Sequence, residues 1–354
     1  MKKIMFAVLL FAGISSLALG QTKRKQTAPQ STAAPAPSAS KTEPYWETLK
    51  IGFDDEFQRI AFPTRMVGYV AGKKGIYKTT DGGKTWNQVL EADLGNVHFL
   101  RFEDEKTGWF GNKNLNFTHD GGETWSPVPL PEKDGMGLLY AFAIDRDGRA
   151  FAGGRTIYGN FKLFRKRDAA ARWELLDPDK TGYWGGAQTP YRPLFLNDIA
   201  MIGPNEVLVA LSGGLSNNGV ILRSMDGGET WTTLFTAPND FHQMRFVDGR
   251  RGWLTGTGAN LWMTEDGGGA WNTQLNPARD DARALAFDPK GSAFGLAPVK
   301  EGMVLLTATG KSWRTVKVGL GYSMPGAVVV DTGWAYVLGS NGYLAHYVDP
   351  RINQ

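Results

Sequence analysis

The chain has 354 residues with 45 Gly, 12 Trp and no Cys, and is 42% apolar but only 21% charged. This suits a turn-rich all-β chain and excludes disulfides, thiol nucleophiles and Cys-ligated metals. Six of the 39 Lys and Arg and one of the 35 acids precede Pro44, so residues 44–354 carry 33 bases against 34 acids, and the formal charge of +4 leaves no basic stripe for nucleic acid.

Residues 1–20 read as a signal peptide. Lys2 and Lys3 precede an apolar run from Ile4 to Ile14, and small residues lead to an expected cleavage after Gly20. The run is shorter than the roughly 20 residues of a spanning helix, and without Cys near Gly20 a lipid anchor is not expected. The expectation is a periplasmic or secreted protein with no membrane insertion after cleavage. Residues 21–43, rich in Pro, Ala, Ser and Thr, read as a disordered linker.

From residue 44 an octapeptide recurs four times: Thr79–Trp86, Thr118–Trp125, Ser224–Trp231 and Thr264–Trp271. Its Asp and second Gly are Asp81 and Gly83, Asp120 and Gly122, Asp226 and Gly228, and Asp266 and Gly268. This is the Asp-box of sialidase-like and photosystem-assembly propellers. Physically it is a hairpin turn: the carboxylate accepts backbone N–H bonds, Gly supplies positive φ, and Trp86, Trp125, Trp231 or Trp271 packs between sheets. A calcium loop would need further acidic ligands at fixed offsets, which are missing. The boxes are therefore structural, and the four scattered His add no metal site. No cofactor is expected.

Degenerate copies stand before Trp173 and Trp313, and Trp46 opens an echo of the segment that follows each box. The series Trp46, Trp86, Trp125, Trp173, Trp231, Trp271 and Trp313 implies seven blades of four strands at a period near 40 residues. In blade 5 the reading is Phe241–Phe246, Trp253–Thr257, Asn260–Thr264 and Trp271–Leu275. The last blade lacks an outer strand after Tyr343–Tyr347, so Trp46–Ile51 is expected to complete it and close the ring.

Short Gly-Trp or Gly-Tyr turns (Gly68-Tyr69, Gly108-Trp109, Gly252-Trp253, Gly333-Trp334) alternate with the boxes behind a signal peptide. In this the chain resembles the photosystem II stability/assembly factor family over nearly all of residues 44–354. The resemblance implies a non-catalytic seven-bladed propeller that holds a protein client, so a protein partner or envelope complex is expected; the aromatic and Arg-bearing loop described next would also suit a glycan.

The boxes lie on one face, so binding is expected on the other. The two largest departures from the repeat map there: Asp177–Pro193, with Tyr183, Trp184, Tyr191 and Arg192, and Ser212–Asn218, with Asn217 and Asn218. Exposed aromatics with Arg suit recognition, although the same rings could plug the channel mouth. Lys73, Lys74, Asn112, Arg155 and Lys300 are further loop candidates. Arg165-Lys166-Arg167 reads as an exposed rim.

The alternative is a secreted sialidase-like glycoside hydrolase, which needs a three-Arg clamp, a Tyr nucleophile with a Glu partner, and an Asp acid. The expected Arg-Ile-Pro motif is absent; the comparable stretch is Phe62-Pro63-Thr64-Arg65. Another glycosidase would need two facing carboxylates, for which Asp198 and Glu301 are conceivable. Three Arg converging on the channel would favour a sialidase, and a channel filled with Trp and Tyr would favour protein binding at the rim.

Overall fold

A computed structural model describes residues 43–131, 136–156, 161–176, 194–213, 218–300, 302–319 and 326–351. Residues 1–42, which include the expected signal peptide, lie outside them. Within them the chain forms seven antiparallel sheets of four strands. In each blade the strands run A to D outward, and successive A strands pack side by side right round the ring, the first against the last. The fold is a seven-bladed propeller.

Blade 5 shows how sequence becomes blade. Strand A is Phe241–Phe246, B is Gly252–Gly256 and C is Asn260–Thr264, while D shrinks to Asn272–Thr273. Strand B is buried throughout, as a strand sandwiched between neighbouring blades must be, and both residues of D are exposed. The core is correspondingly divided among seven clusters, such as the one joining Phe241, Leu254 and Trp262 to Leu208 and Ile221 of blade 4.

The ring closes at its ends. Tyr45–Lys50 pairs antiparallel with Tyr343–Val348, from Tyr45 opposite Val348 to Lys50 opposite Tyr343, and supplies the outer strand of the last blade. Trp46 lies 5.1 Å from the Tyr347 ring, and buried His346 meets Glu47 at 2.7 Å through Nδ1. A strand from the N-terminal side thus covers the outer edge of Tyr343–Val348.

The box turns follow one hydrogen-bond scheme. Asp81 Oδ1 accepts from Thr79 Oγ1 and from the N–H groups of Lys84 and Thr85, and its Oδ2 accepts from Thr85 Oγ1. Thr79 Oγ1 accepts in turn from Gly83 N–H. Asp120, Asp226 and Asp266 are held likewise from Thr118, Ser224 and Thr264. Both Gly of each box have positive φ, for example 74° at Gly82 and 88° at Gly83. Burial opposes the Asp81 charge, yet these donors hold its carboxyl down to about 2.

One expectation fails. Arg165 is not on an exposed rim but is 4% exposed, donating to the Gly227 carbonyl at 2.7 Å and to Glu174 at 2.9 Å, with Glu229 3.0 Å away. A guanidinium is tolerated there because two carboxylates and a carbonyl meet its terminal nitrogens. Arg167 is exposed and bonded to the same two Glu.

Candidate functional site

In each of four blades the first box Gly donates its N–H to the A–B turn of that blade: Gly82 to Met66, Gly121 to Lys106, Gly227 to Asn205 and Gly267 to Arg250. The A–B turns and boxes therefore share one face, and the B–C loops and blade-to-blade connections share the other. Tyr183, Trp184, Tyr191, Arg192 and Asn217 lie outside the described residues, as do Tyr158 and Glu301. Asn218 is half-buried just before strand C of blade 4, Gly219–Ser224.

What is described around those segments is informative. Strand A of blade 4 starts at Leu194 and strand B ends at Gly213, and these two residues are register partners. The segments 177–193 and 214–217 thus join blade 4 at one end. There Phe195 is 40% exposed, unusual for so large a ring. Arg155, near the end of strand B of blade 3 (Ala150–Thr156), places its guanidinium 5.6 Å from the Phe195 ring and 5.8 Å from the Tyr140 ring. Such cation–π contacts hold Arg while leaving its charge available.

His98 meets the Tyr140 ring edge at 4.7 Å. Burial, with Arg59 and Arg155 nearby, pulls its pKa down to about 4, so it is neutral at pH 7. Sequence reasoning found Arg155 but missed His98, Tyr140 and Phe195. All three stand on or beside A strands, where one aromatic among many carries no signal.

The other loop candidates serve their own loops. Lys73 pairs with Glu56 and Lys300 with Asp280. Lys74 donates to the Asp54 carbonyl, and the Asn112 side chain bonds Leu94 and Asn114.

Among the described residues the innermost strands carry Arg. Arg59, in strand A of blade 1 (Phe57–Ala61), donates to the carbonyls of His98 and Gln58. Arg101, in strand A of blade 2 (Phe99–Phe102), is exposed and donates to Ile144 of blade 3. Arg245 bonds Asp198 at 2.6 Å, and Asp198 also accepts from the N–H groups of Met244 and Ile199. Burial, reinforced by Arg245, lowers Arg59 to about 10.

These three Arg do not share a level. Arg101 and Arg245 stand one residue before Phe102 and Phe246, which close their A strands, whereas Arg59 stands three before the corresponding Phe62. Two residues of strand separate the levels, about 6–7 Å. Each is already tied to a wall carbonyl or to Asp198, so the set differs from a clamp converging on one carboxylate. Asp198 faces Arg245 instead of a second acid.

A family model described as photosynthesis system II assembly factor YCF48 matches residues 38–175. The photosystem II assembly lipoprotein Ycf48 of Trichormus variabilis is 32% identical over 160 residues, covering 44% of this chain and 41% of the relative. Ycf48 of Thermosynechococcus vestitus is 26% identical over 189 residues, covering 51% and 48%. The chain thus spans about half or less of the length of the curated relatives it matches. A solved structure of YCF48 bound to D1 peptide superposes with a TM-score of 0.62 at 20% identity, covering 86% of this chain and 94% of the other. Virginiamycin B lyase from Staphylococcus aureus superposes with a TM-score of 0.65 at 11% identity, covering 86% and 99%. Both speak for the fold alone, since one fold hosts binders and lyases alike. Residues 38–175 thus match the photosystem II assembly-factor family in sequence, and most of the chain shares the fold of a solved YCF48.

Proposed function

We propose that this chain is an exported, non-catalytic platform that captures a segment of a protein partner at the channel mouth opposite the Asp-boxes. In this reading residues 1–20 direct export, 21–43 tether, and the propeller binds. The observation that carries it is Arg155 held beside Tyr140 and half-exposed Phe195, where the segment bearing Tyr183, Trp184, Tyr191 and Arg192 joins blade 4. Rings that are stiff and partly exposed give contact area at small entropic cost, and a cation held by them can meet an acidic group of the client. The binding of a D1 peptide by a Ycf48 structure of the same fold supports a peptide segment as ligand.

Affinity capture from the native envelope, followed by mass spectrometry, tests this reading. The wild-type chain is expected to retain a defined protein, and the Trp184→Ala/Arg192→Ala variant to lose it with little change in melting temperature. Capture of every partner by that variant would refute the role of the loop.

A second reading, a sialidase-like hydrolase, draws on Arg59, Arg101 and Arg245 in the channel. Their separate levels and wall bonds count against a clamp. Turnover of a fluorogenic sialoside, lost in Arg245→Ala, would favour this reading over the first.

A further inference from the structure

On the box face, the seam between blades 3 and 4 lacks a stacked ring pair that three other seams carry. At three seams a strand-B ring lies flat on a Phe at the end of the next blade's strand A: Tyr336 on Phe62 at 3.9 Å, Tyr69 on Phe102 at 3.6 Å and Trp253 on Phe287 at 4.0 Å. The same rings donate to the next blade's turn, at the carbonyls of Gly82, Gly121 and Gly310.

At the blade 3–4 seam the strand-B ring is Phe151, which has no donor, and Met201 stands where the Phe would. Arg165 takes over the bond to Gly227. The Asp-box of blade 3 has also degenerated, to Asp168-Ala169-Ala170-Ala171. A cavity of about 220 Å³ results, with Phe151, Met201 and Val207 among its apolar lining and Arg149, Lys166 and Arg167 among its charged lining.

The charges differ in how far they are spent. Arg149 bonds Asp145 and Asp147, and Arg165 and Arg167 share Glu174 and Glu229. Lys166 Nζ holds only the Ala169 carbonyl among the described residues. Buried Arg165 Nε has no partner, so the seam's polar groups are incompletely satisfied as it stands. The volume falls below the roughly 300–1,000 Å³ of drug-sized sites, which suits a ligand of about ten non-hydrogen atoms.

The geometry points to a second binding site, separate from the mouth, that takes a small aryl or branched-chain monocarboxylate: its apolar body lies on Phe151, Met201 and Val207 and its carboxylate meets Lys166. Nothing covalent happens there. The site lies where Phe151 and Met201 stand in place of such a ring pair, and it faces away from the proposed client.

Titration of the full chain with phenylacetate, acetate and benzyl alcohol, followed by calorimetry and by NMR of methyl-labelled Met, tests the assignment. Phenylacetate is expected to bind saturably with a perturbed Met201 methyl signal, and acetate and benzyl alcohol at least about tenfold more weakly. Met201→Phe, which installs the Phe found at Phe62, Phe102 and Phe287 and fills the cavity, is expected to abolish binding. Lys166→Met, a change at a partly exposed site that leaves the packing intact, is expected to weaken it about tenfold, and Phe195→Ala on the other face to leave it unchanged. Binding unaltered by Lys166→Met, benzyl alcohol binding as well as phenylacetate, or no saturable binding by the wild-type chain would each overturn the assignment, even if Met201→Phe failed to fold.

Discussion

Tyr336 of the last blade lies flat on Phe62 of the first, with centroids 3.9 Å apart and planes 9° from parallel, and its hydroxyl donates to the Gly82 carbonyl at 3.1 Å. One side chain therefore joins the end of the ring to its beginning by both stacking and a hydrogen bond. Tyr336→Phe keeps the stack and strands a buried carbonyl, so a loss of about 1 kcal/mol is expected. Urea unfolding followed by Trp fluorescence measures it. A loss as large as that of Tyr336→Ala would mean that the hydroxyl rather than the ring carries the contact.

Closure by Tyr45–Lys50 has a larger consequence. Removing residues 43–50 exposes the edge of Tyr343–Val348 and uncovers Tyr347, so cooperative thermal unfolding is expected to be lost or shifted down sharply. Trp46→Ala alone should cost about 3 kcal/mol. Hydrogen exchange offers a second reading, since protection in 343–348 should fall first in Trp46→Ala.

The Asp-boxes act as turn staples. Asp226 accepts from Ser224 Oγ, Thr230 N–H and Thr230 Oγ1, and Asp226→Ala removes all three bonds. A loss of about 1–3 kcal/mol is expected in urea unfolding, with partner capture retained below the transition. Loss of capture in a fully folded Asp226→Ala protein would make the box part of the binding surface.

Acid should weaken the fold in two windows. Burial drops His98 to about 4 and outweighs the partial rescue of His346 by Glu47, while Lys84 lowers His346 further. Both folded values lie below the unfolded value near 6.5, so the unfolded chain takes up these protons first. Stability is then full above about pH 6.5 and falls as pH drops, levelling out below the folded values. Asp81, down to about 2 when folded, contributes stability above about pH 4 that is lost as pH falls toward 2. Melting temperatures from pH 7.5 to 2 should show both steps. His98→Phe should reduce the first step, leaving the share of His346, and leave the second unchanged.

Repetition decided what could be read from the sequence. Four boxes and a run of Trp mark the C–D turns so strongly that the blade count and the closing role of Trp46 follow from spacing. Strands A and C of blade 5 stand where the pattern places them, whereas strand D was expected over Trp271–Leu275 and is only Asn272–Thr273, because its two exposed residues bury nothing that would specify its length. Arg165 was unreadable for a different reason: its partner Glu229 is remote in sequence, and a run of three cations ordinarily marks solvent. Arg59, Arg101 and Arg245 sit at unequal places in their strands and so leave no periodic trace.

The account rests most on which face of the ring meets a client. A photo-crosslinking amino acid placed at Phe195 on the mouth face, and separately at Met225 on the box face, can be irradiated in the native envelope. Adducts to one protein from position 195 and none from position 225 are the expected result. Adducts from position 225 with none from 195 would contradict it.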